Sequence, residues 1–600
     1  MSQTFGQHLI NSVLPKEHQV SDSLAKSALV KKLVDMAKKD PEGFPAAVTH
    51  LKKVGDEVSM FEGVTVGLDD IEPMYETRDK IMNPAMEAVK RAKTPAEREK
   101  IILETQDKMM AHTREHPGSL TPMATSGARG SVSQLMKSVA SPVAATDSQG
   151  RITPWLIGKS YAEGLAPADY WVAGNESRMN TVKSSTSVAE PGDLSNILTN
   201  TMYPMIITQD DCGTHNGIPF APEDSQIFGR YLARDIEGFK RNDLVTPQVV
   251  AKLHGGKAKY VLVRSPMTCE AHEGVCRKCQ GVDERGRPHA IGINVGLRAA
   301  QALSEPLTQF SLNAKHGVRV LKGQSKTLGG LPGIRQLVEV PQTFINKATL
   351  AEKNGTVDKI VPAPHGGHYV TVAGLEHYVP PNLELLVHVG QHVEAGDVLS
   401  DGIPKPDEIV HHKGLGAGRL YFTEALHRAY KGEGQDLDRR HFELVARAEL
   451  NHVRVLDHSP EHPDLLKGDI IPYEQYKAVA GHKTSSLSVD KALNHLLGKE
   501  VLHFTVGTTL TPSVIETLRE HGIKNIEVSN NAPRVEFVMK PMTRNPLLNP
   551  DWMARMSHRY LRDSLLKGAA FGESSDLHGV HPVPAYAAGS EFGKGKDGKY

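Results

Sequence analysis

Long apolar runs are missing from this chain of 600 residues: no eighteen consecutive apolar residues occur, which argues against an ordinary membrane-spanning helix. The first residues, MSQTFGQHLINSVLPKEH, lack the basic-then-apolar order of an export signal, so the expectation is a soluble intracellular protein with no membrane partner. Net charge is missing as well. Lys+Arg and Asp+Glu both number 70, so any contact with a polyanion must come from local patches rather than a whole-chain field. Aromatic residues make up 5%, which argues against base stacking as the main mode of single-strand binding. Despite 29 histidines there is no H-E-x-x-H or comparable cluster, and His411-His412 sits beside a turn without a paired carboxylate, so a free-standing metalloenzyme is disfavoured. Cysteine is nearly absent, with four residues at Cys212, Cys269, Cys276 and Cys279.

What is present points to several modules, about three to five for this length. Ile81, Ala85, Val89 and Ala92 fall at helical spacing, and Thr94-Pro95-Ala96-Glu97 reads as a capping box with proline in the first turn. A second helix over about 95–112 completes a hairpin with charged outer faces; taken alone, such a hairpin is more often a plain surface feature. The segment 160–190 reads as helix up to an interruption at Pro191-Gly192, and 291–316 as alanine-rich helix broken at Glu305-Pro306. Residues 335–410 are rich in β-branched residues between turns such as Glu394-Ala-Gly-Asp397, which predicts a small strand module, and 413–452 returns to a helical pattern. The Gly/Lys-rich tail reads as disordered, and no internal repeat of solenoid length is found.

Cys276-Arg-Lys-Cys279 is a C-x₂-C knuckle, with Cys269 seven residues upstream and Cys212 in an Asp-Asp-Cys-Gly-Thr setting. Four thiolates suit Zn²⁺, and a filled tetrahedral shell leaves no position for an activated water, so the site would be structural. Two disulfides or four free thiols are the alternatives.

Several segments, in order over about residues 60–455, resemble the β′ subunit of bacterial-type RNA polymerase. GVTVGLDDIEP (63–73) is similar to the segment leading into the helical hairpin at the rim of the secondary channel, and TSGARGS (125–131) to a loop near the active centre. EGLAPADYWVAGNESRMNTVKSS (163–185) resembles the start of the bridge helix, in which Arg178 matches a family arginine, Val188 stands where threonine is common, and Ala189 where alanine is. ITQDDCGTHNGI (207–218) and SPMTCEAHEGVCRKCQG (265–281) match the family's four zinc ligands. VGLRAAQALSEPLTQFSLNAKHG (295–317) resembles the trigger loop with its supporting helix. On a helix Gln309, Leu312 and His316 share one face. The resemblance implies that Leu312 packs on the incoming base and that His316 approaches its phosphates. Asn313 replaces a usual arginine and Lys315 a usual phenylalanine, which moves one phosphate contact, if it is kept, to Lys315. GGLPGIRQL (329–337) follows almost at once, so a large insertion common in bacterial relatives is absent. The GDVLSDG turn (396–402) and LGAGRLYFTEALHRAY (415–430) continue the match, and the stretch from FGESSDLHG onward reads as a docking segment for partner subunits.

The implied fold is α+β and multidomain, the C-terminal half of the β′ pincer. Its expected parts are an N-terminal joining segment (1–62), rim hairpin (63–124), active-centre loop and bridge helix (125–206), zinc module (207–290), trigger loop with supporting helix (291–328), β-rich module (329–412), helical clamp region (413–455) and a divergent C-terminal region with a flexible basic tail (456–600). Nucleotidyl transfer of this kind needs Mg²⁺, which the family holds with three aspartates in a NADFDGD-type loop. No such loop occurs here; Asp436-Leu-Asp438 is the nearest pattern and reads as solvated surface. The resemblance therefore implies a split β′ subunit of a DNA-directed RNA polymerase. Its partners would be an N-terminal β′ chain carrying the Mg²⁺ ligands, β-type chains, a promoter-specificity subunit, DNA template, RNA and NTPs. The arrangement resembles those of plastids, cyanobacteria and, given the short trigger-loop region, giant bacteriophages, which would place the protein in a bacterial host's cytoplasm or a virion. The alternative is a zinc-stabilised nucleic-acid-binding or regulatory relative without a part in synthesis.

Overall fold

In the computed structural model, which describes residues 4–21, 26–61, 63, 65–146, 152–186, 188–256, 258–313, 330–457, 463, 465–481, 483–529, 532–549, 551–555 and 561–574, the chain divides into two units, residues 1–187 with 284–286, and the remainder. The first unit is helical. Helices Tyr75–Arg91 and Pro95–Thr113 form the expected hairpin, and Thr94 caps the second through its hydroxyl, which accepts from the Glu97 N–H. The Glu97 carboxylate reaches back to the N–H of Lys93 at 3.0 Å rather than to that of Thr94, so the box closes one residue early. Met82, Ile102 and Met109 turn inward and bury against Met136 of helix Val132–Val139, and Lys80–Glu76 pairs on the opposite, exposed face. The TSGARGS loop follows helix Leu120–Ser126 with Gly127 and Gly130 both at φ 73°, a conformation glycine adopts without strain.

Helix Pro167–Thr186 ends this unit and helix Ala189–Met202 opens the next, with Val188 as its N-cap residue. The predicted interruption at Pro191-Gly192 is therefore misplaced. Pro191 lies in the first turn of the second helix, where the missing N–H has no intrahelical partner to lose.

In the second unit, helix Ala189–Met202 lies along helix Val295–Asn313, burying Leu194, Ile197 and Leu198 with Ala299, Ala300 and Leu303. The helices approach so closely that a Cβ on Gly296 would stand 2.0 Å from the Met202 carbonyl oxygen. The predicted break at Glu305-Pro306 does not occur: Pro306 sits inside a continuous helix. A proline disturbs the carbonyls of the preceding turn, and here the Leu303 carbonyl accepts a hydrogen bond of 2.9 Å from the buried Tyr430 hydroxyl. Tertiary packing of Leu307 and Phe310 holds the turn beyond it.

The strand module is a four-stranded antiparallel sheet in the order Leu375–Val379, His368–Val372, Gly355–Pro362, His392–Val393, with Val370 opposite both Ile360 and His377. Ala373-Gly374, both at positive φ, make the tight turn between its first two neighbours. Val357, Val370, Val372 and Val379 fill its own core. The 329–412 segment is not strand throughout, since helix Gly330–Glu339 opens it and helix Pro406–Gly432, bent at Gly414 (φ 84°), closes it. Helix Arg439–Glu449 packs beside that long helix and against Val295–Asn313.

Two further readings are corrected. His411 does have a carboxylate partner, Glu536 at 2.9 Å, supplied from a distant strand. Asp438 is not free surface: it caps helix Arg439–Glu449 and pairs with Arg440 at 2.6 Å, while Asp436 remains more than half exposed near His427. No helix among the described residues is long and apolar enough to cross a membrane. The C-terminal tail and most of the proposed docking segment lie outside the described residues.

Candidate metal centre

The four cysteines come from two chain segments that a short parallel ladder brings together. Strand Ile207–Gln209 pairs with Val275–Cys276, so the loop carrying Cys212 arrives beside the knuckle. Cys279 lies on the one-turn helix Arg277–Gln280 and Cys269 follows the turn Pro266–Thr268. The four Sγ atoms all lie within 4.8 Å of one another, with Cys212 half-buried and the others buried. Cys212 and Cys279 Sγ are 3.7 Å apart. A disulfide needs about 2.05 Å, whereas the edge of a tetrahedron with Zn–S bonds of about 2.3 Å is ~3.8 Å. The donor set and spacing fit a Cys₄ metal site and leave the disulfide alternative without geometry.

The surroundings suit thiolates. Backbone N–H groups of Cys276 and Cys279 donate to the sulfurs of Cys269 and Cys276, both at 3.3 Å. The fully buried Arg264 guanidinium lies 3.2–3.4 Å from the sulfurs of Cys212, Cys276 and Cys279 and pairs with Asp211 at 2.7 Å. Its charge offsets part of the net negative charge of a metal–thiolate centre. Hydrogen bonds from the other three cysteines hold the Cys212 thiol far below its ordinary range, while burial pushes Cys269 and Cys279 up. Arg447, from helix Arg439–Glu449, donates to the carbonyls of Pro266, Cys269, Ala271 and Gly274 and so fixes the loop that bears Cys269. Beside it Arg230 and Glu443 form a fully buried bidentate pair at 2.7–2.8 Å, with the Ser265 hydroxyl donating to the same carboxylate.

The helix resembling the trigger-loop support stands on this body. Tyr430 joins it to the long helix, and Phe310, Tyr430 and Phe442 meet edge to face. Gln309 lies on its exposed side, donating to Glu305 one turn earlier. Leu312 and Asn313 occupy its last backbone turn, their side chains outside the described residues, and Lys315 and His316 lie wholly outside them. In the other unit Arg178 is exposed with its guanidinium over the ring of Trp171 at 5.7 Å. Tyr170 and Trp171 are 68% and 72% exposed, an unusual outlay of aromatic surface in a chain so poor in it. Val188 and Ala189 are exposed at the head of the next helix.

Sequence reasoning found the cysteines and missed Arg264, Arg447, Arg230 and Glu443. The available signal was a charged residue within an apolar run, as in Val261-Leu-Val-Arg264 and Leu444-Val-Ala-Arg447.

Comparison with known proteins bears on what this body is. The family model of RNA polymerase Rpb1, domain 5, matches residues 164–363. The chain is 26% identical over 554 residues to the β′ subunit of DNA-directed RNA polymerase from Caldicellulosiruptor saccharolyticus, covering 83% of this chain and 46% of that one. It is homologous to polymerase β′ over much of its length. The β′ subunit of Moorella thermoacetica is 29% identical over 458 residues (70% of this chain, 39% of the relative), and that of Heliobacterium modesticaldum 28% over 521 (79% and 44%). The chain spans less than half the length of these curated relatives. The β′ homology takes in the helix Pro167–Thr186, the cysteine centre and the helix Val295–Asn313 in one matched stretch.

Proposed function

We propose that this chain is the C-terminal part of a β′ subunit that completes the active site of a multisubunit DNA-directed RNA polymerase, and that it works as a separate polypeptide. The observation that carries the reading is the matched stretch 164–363, which contains both nucleotide-facing helices and the cysteine centre between them. Helix Pro167–Thr186 serves as the bridge helix. Helix Val295–Asn313 and the segment that follows it supply Gln309, Leu312, Asn313 and His316 to the incoming nucleotide, acting by positioning and charge stabilisation. Its firm base on Tyr430 suits that task, since a moving segment needs a fixed origin.

Zinc in the Cys₄ centre is structural; when bound it supplies a cross-link between the 207–212 and 269–279 segments. The Mg²⁺ ligands belong to a three-aspartate loop outside these 600 residues, on an N-terminal β′ chain. β-type chains, a promoter-specificity subunit, template, transcript and NTPs complete the assembly, and a giant bacteriophage acting inside its bacterial host is the source that fits the short trigger-loop region. The second reading, a non-catalytic zinc-stabilised relative, draws on Asn313 in place of arginine and Val188 in place of threonine.

The deciding experiment purifies the native assembly through a tag on this chain, identifies its partners by mass spectrometry and assays template-dependent RNA synthesis with Mg²⁺. A partner bearing the three-aspartate loop, together with RNA product, is expected. A zinc-loaded chain that purifies alone and inert would transfer the case to the second reading.

A further inference from the structure

Two stretches far apart in the sequence have the same backbone. A strand at Ile218–Phe220 pairs with Val261–Val263, and Leu232 bridges to Val263 on the other side. Strand Thr484–Ser488 pairs with Asn525–Ser529, and Leu497 bridges to Val528 on the other side. From Gly229 to Arg264 the correspondence with residues 494–529 runs without a gap. Leu232 N–H donates to the Asp243 carbonyl as Leu497 donates to Thr508; Ile236 and Phe239 exchange hydrogen bonds as Val501 and Phe504 do; Val245 donates to Arg230 as Leu510 does to His495. Thr246-Pro247 caps the helix Pro247–His254, and Thr511-Pro512 caps the helix Pro512–Glu520. The left-handed residues recur in register: Gly229, Glu237 and Asn242 in one stretch, Asn494, Leu502 and Gly507 in the other. Leu253 and Val261 are buried at the same places as Leu518 and Ile526.

The two copies meet around the loop that follows Cys212. The first copy grips it from one side: Arg241 donates to the carbonyls of Gly213 and Thr214, and Asn242 to Asp211. The second copy grips it from the other. The Asn216 side chain donates to the Glu500 carbonyl at 3.1 Å and accepts from the Leu502 N–H at 3.1 Å, while also donating to Glu270, the residue after Cys269. Leu262 of the first copy packs into the second copy's core, and the rings of Tyr260 and His521 stack at 5.5 Å.

We infer that residues 485–529 are a second, cysteine-free copy of the unit at 218–264, and that it serves as a brace, using Asn216 to hold the Cys212 loop in ligating position. The contact is with the loop of the half-buried cysteine, where the centre is most open. Asn216 is a positioning residue: it lies four residues beyond Cys212, and its side chain joins that loop to the second copy at Glu500 and Leu502 and to Glu270 beside Cys269.

The inference rests on the metal reading, so the zinc content of the purified full-length chain is measured first. Release of zinc to a chromogenic chelator is then followed in time. Asn216→Ala is expected to release it about tenfold faster, the factor for the net worth of one to two hydrogen bonds. Ile526→Ala, which hollows the second copy's core, is expected to do the same, whereas Val357→Ala, which hollows the separate strand module, keeps the wild-type rate. Wild-type release from both Asn216→Ala and Ile526→Ala overturns the brace, as does equal acceleration by Val357→Ala. If the wild-type chain carries no zinc, the metal reading fails by itself. Hydrogen exchange at residues 213–216 in Ile526→Ala then decides the brace: lost protection upholds it and retained protection overturns it.

Discussion

Arg230 and Glu443 are both wholly removed from water, and each is tolerable there because of the other. Deleting one side of such a pair strands a charge, so Glu443→Ala is expected to cost about 3–5 kcal/mol in chemical denaturation. A loss under about 1 kcal/mol would mean that water reaches Arg230 when its partner is gone. Glu449 presents the opposite case. Among the described residues it has no cation paired with it, Asn545 donates to one of its oxygens, and burial pushes its carboxyl up to about 8. The unfolded chain ionises this group near 4.5, so between 4.5 and about 8 the folded state holds the extra proton and stability falls as pH rises, levelling off above. Glu449→Gln is expected to flatten that slope, raising the denaturation midpoint near pH 8 while leaving it almost unchanged near pH 5. At this scale the cysteines were legible because their chemistry is declared by type and spacing. The arginines around them were not, because a guanidinium in a strand or helix reads as surface until its acceptors are seen.

Among the elements, helices with alternating faces were readable, and so was the cap at Thr94. Proline misled twice: at Pro191 because a first-turn position loses no intrahelical hydrogen bond, and at Pro306 because packing offsets its local cost. The close crossing at Gly296 was also invisible, since one glycine near a helix start looks like any other. Gly296→Ala is expected to force apart helices Ala189–Met202 and Val295–Asn313 and to lower stability by about 1–3 kcal/mol. A thermal melt unchanged from wild type would show that the helices can slide. On the proposed function, His316→Ala in the assembled enzyme is expected to slow nucleotide addition with template binding nearly intact, and an unaltered elongation rate would remove His316 from the mechanism. The pairing of residues 218–264 with 485–529 escaped the sequence because the two share a backbone path more than they share side chains.

For the molecule as a whole, the homology to polymerase β′ was legible from ordered motifs, because a resemblance spread along hundreds of residues survives substitution at any one of them. The division into two units at residue 188 was not, since the nearby Pro191-Gly192 reads only as an interruption of a helix and does not distinguish a break between units. Chelation under reducing conditions is expected to lower the apparent melting temperature and open residues 207–281 to hydrogen exchange while the sheet formed by Gly355–Pro362 and its neighbours stays protected. Exchange that spreads evenly over the chain would contradict independent cores in the strand module and the metal-bearing body.

The hold of Arg447 on four carbonyls of the Cys269 loop also sets an order of events in synthesis. All four cysteines leave the ribosome well before Arg447 does, and at about 5–20 residues per second the interval is on the order of ten to thirty seconds. During it the loop's carbonyls have no guanidinium to meet, and the ladder between Ile207–Gln209 and Val275–Cys276 is a few residues long. A metal captured in that window would do for the nascent chain what the arginine later does for the finished one. Zinc starvation should therefore reduce the yield of newly made protein far more than it harms protein already folded.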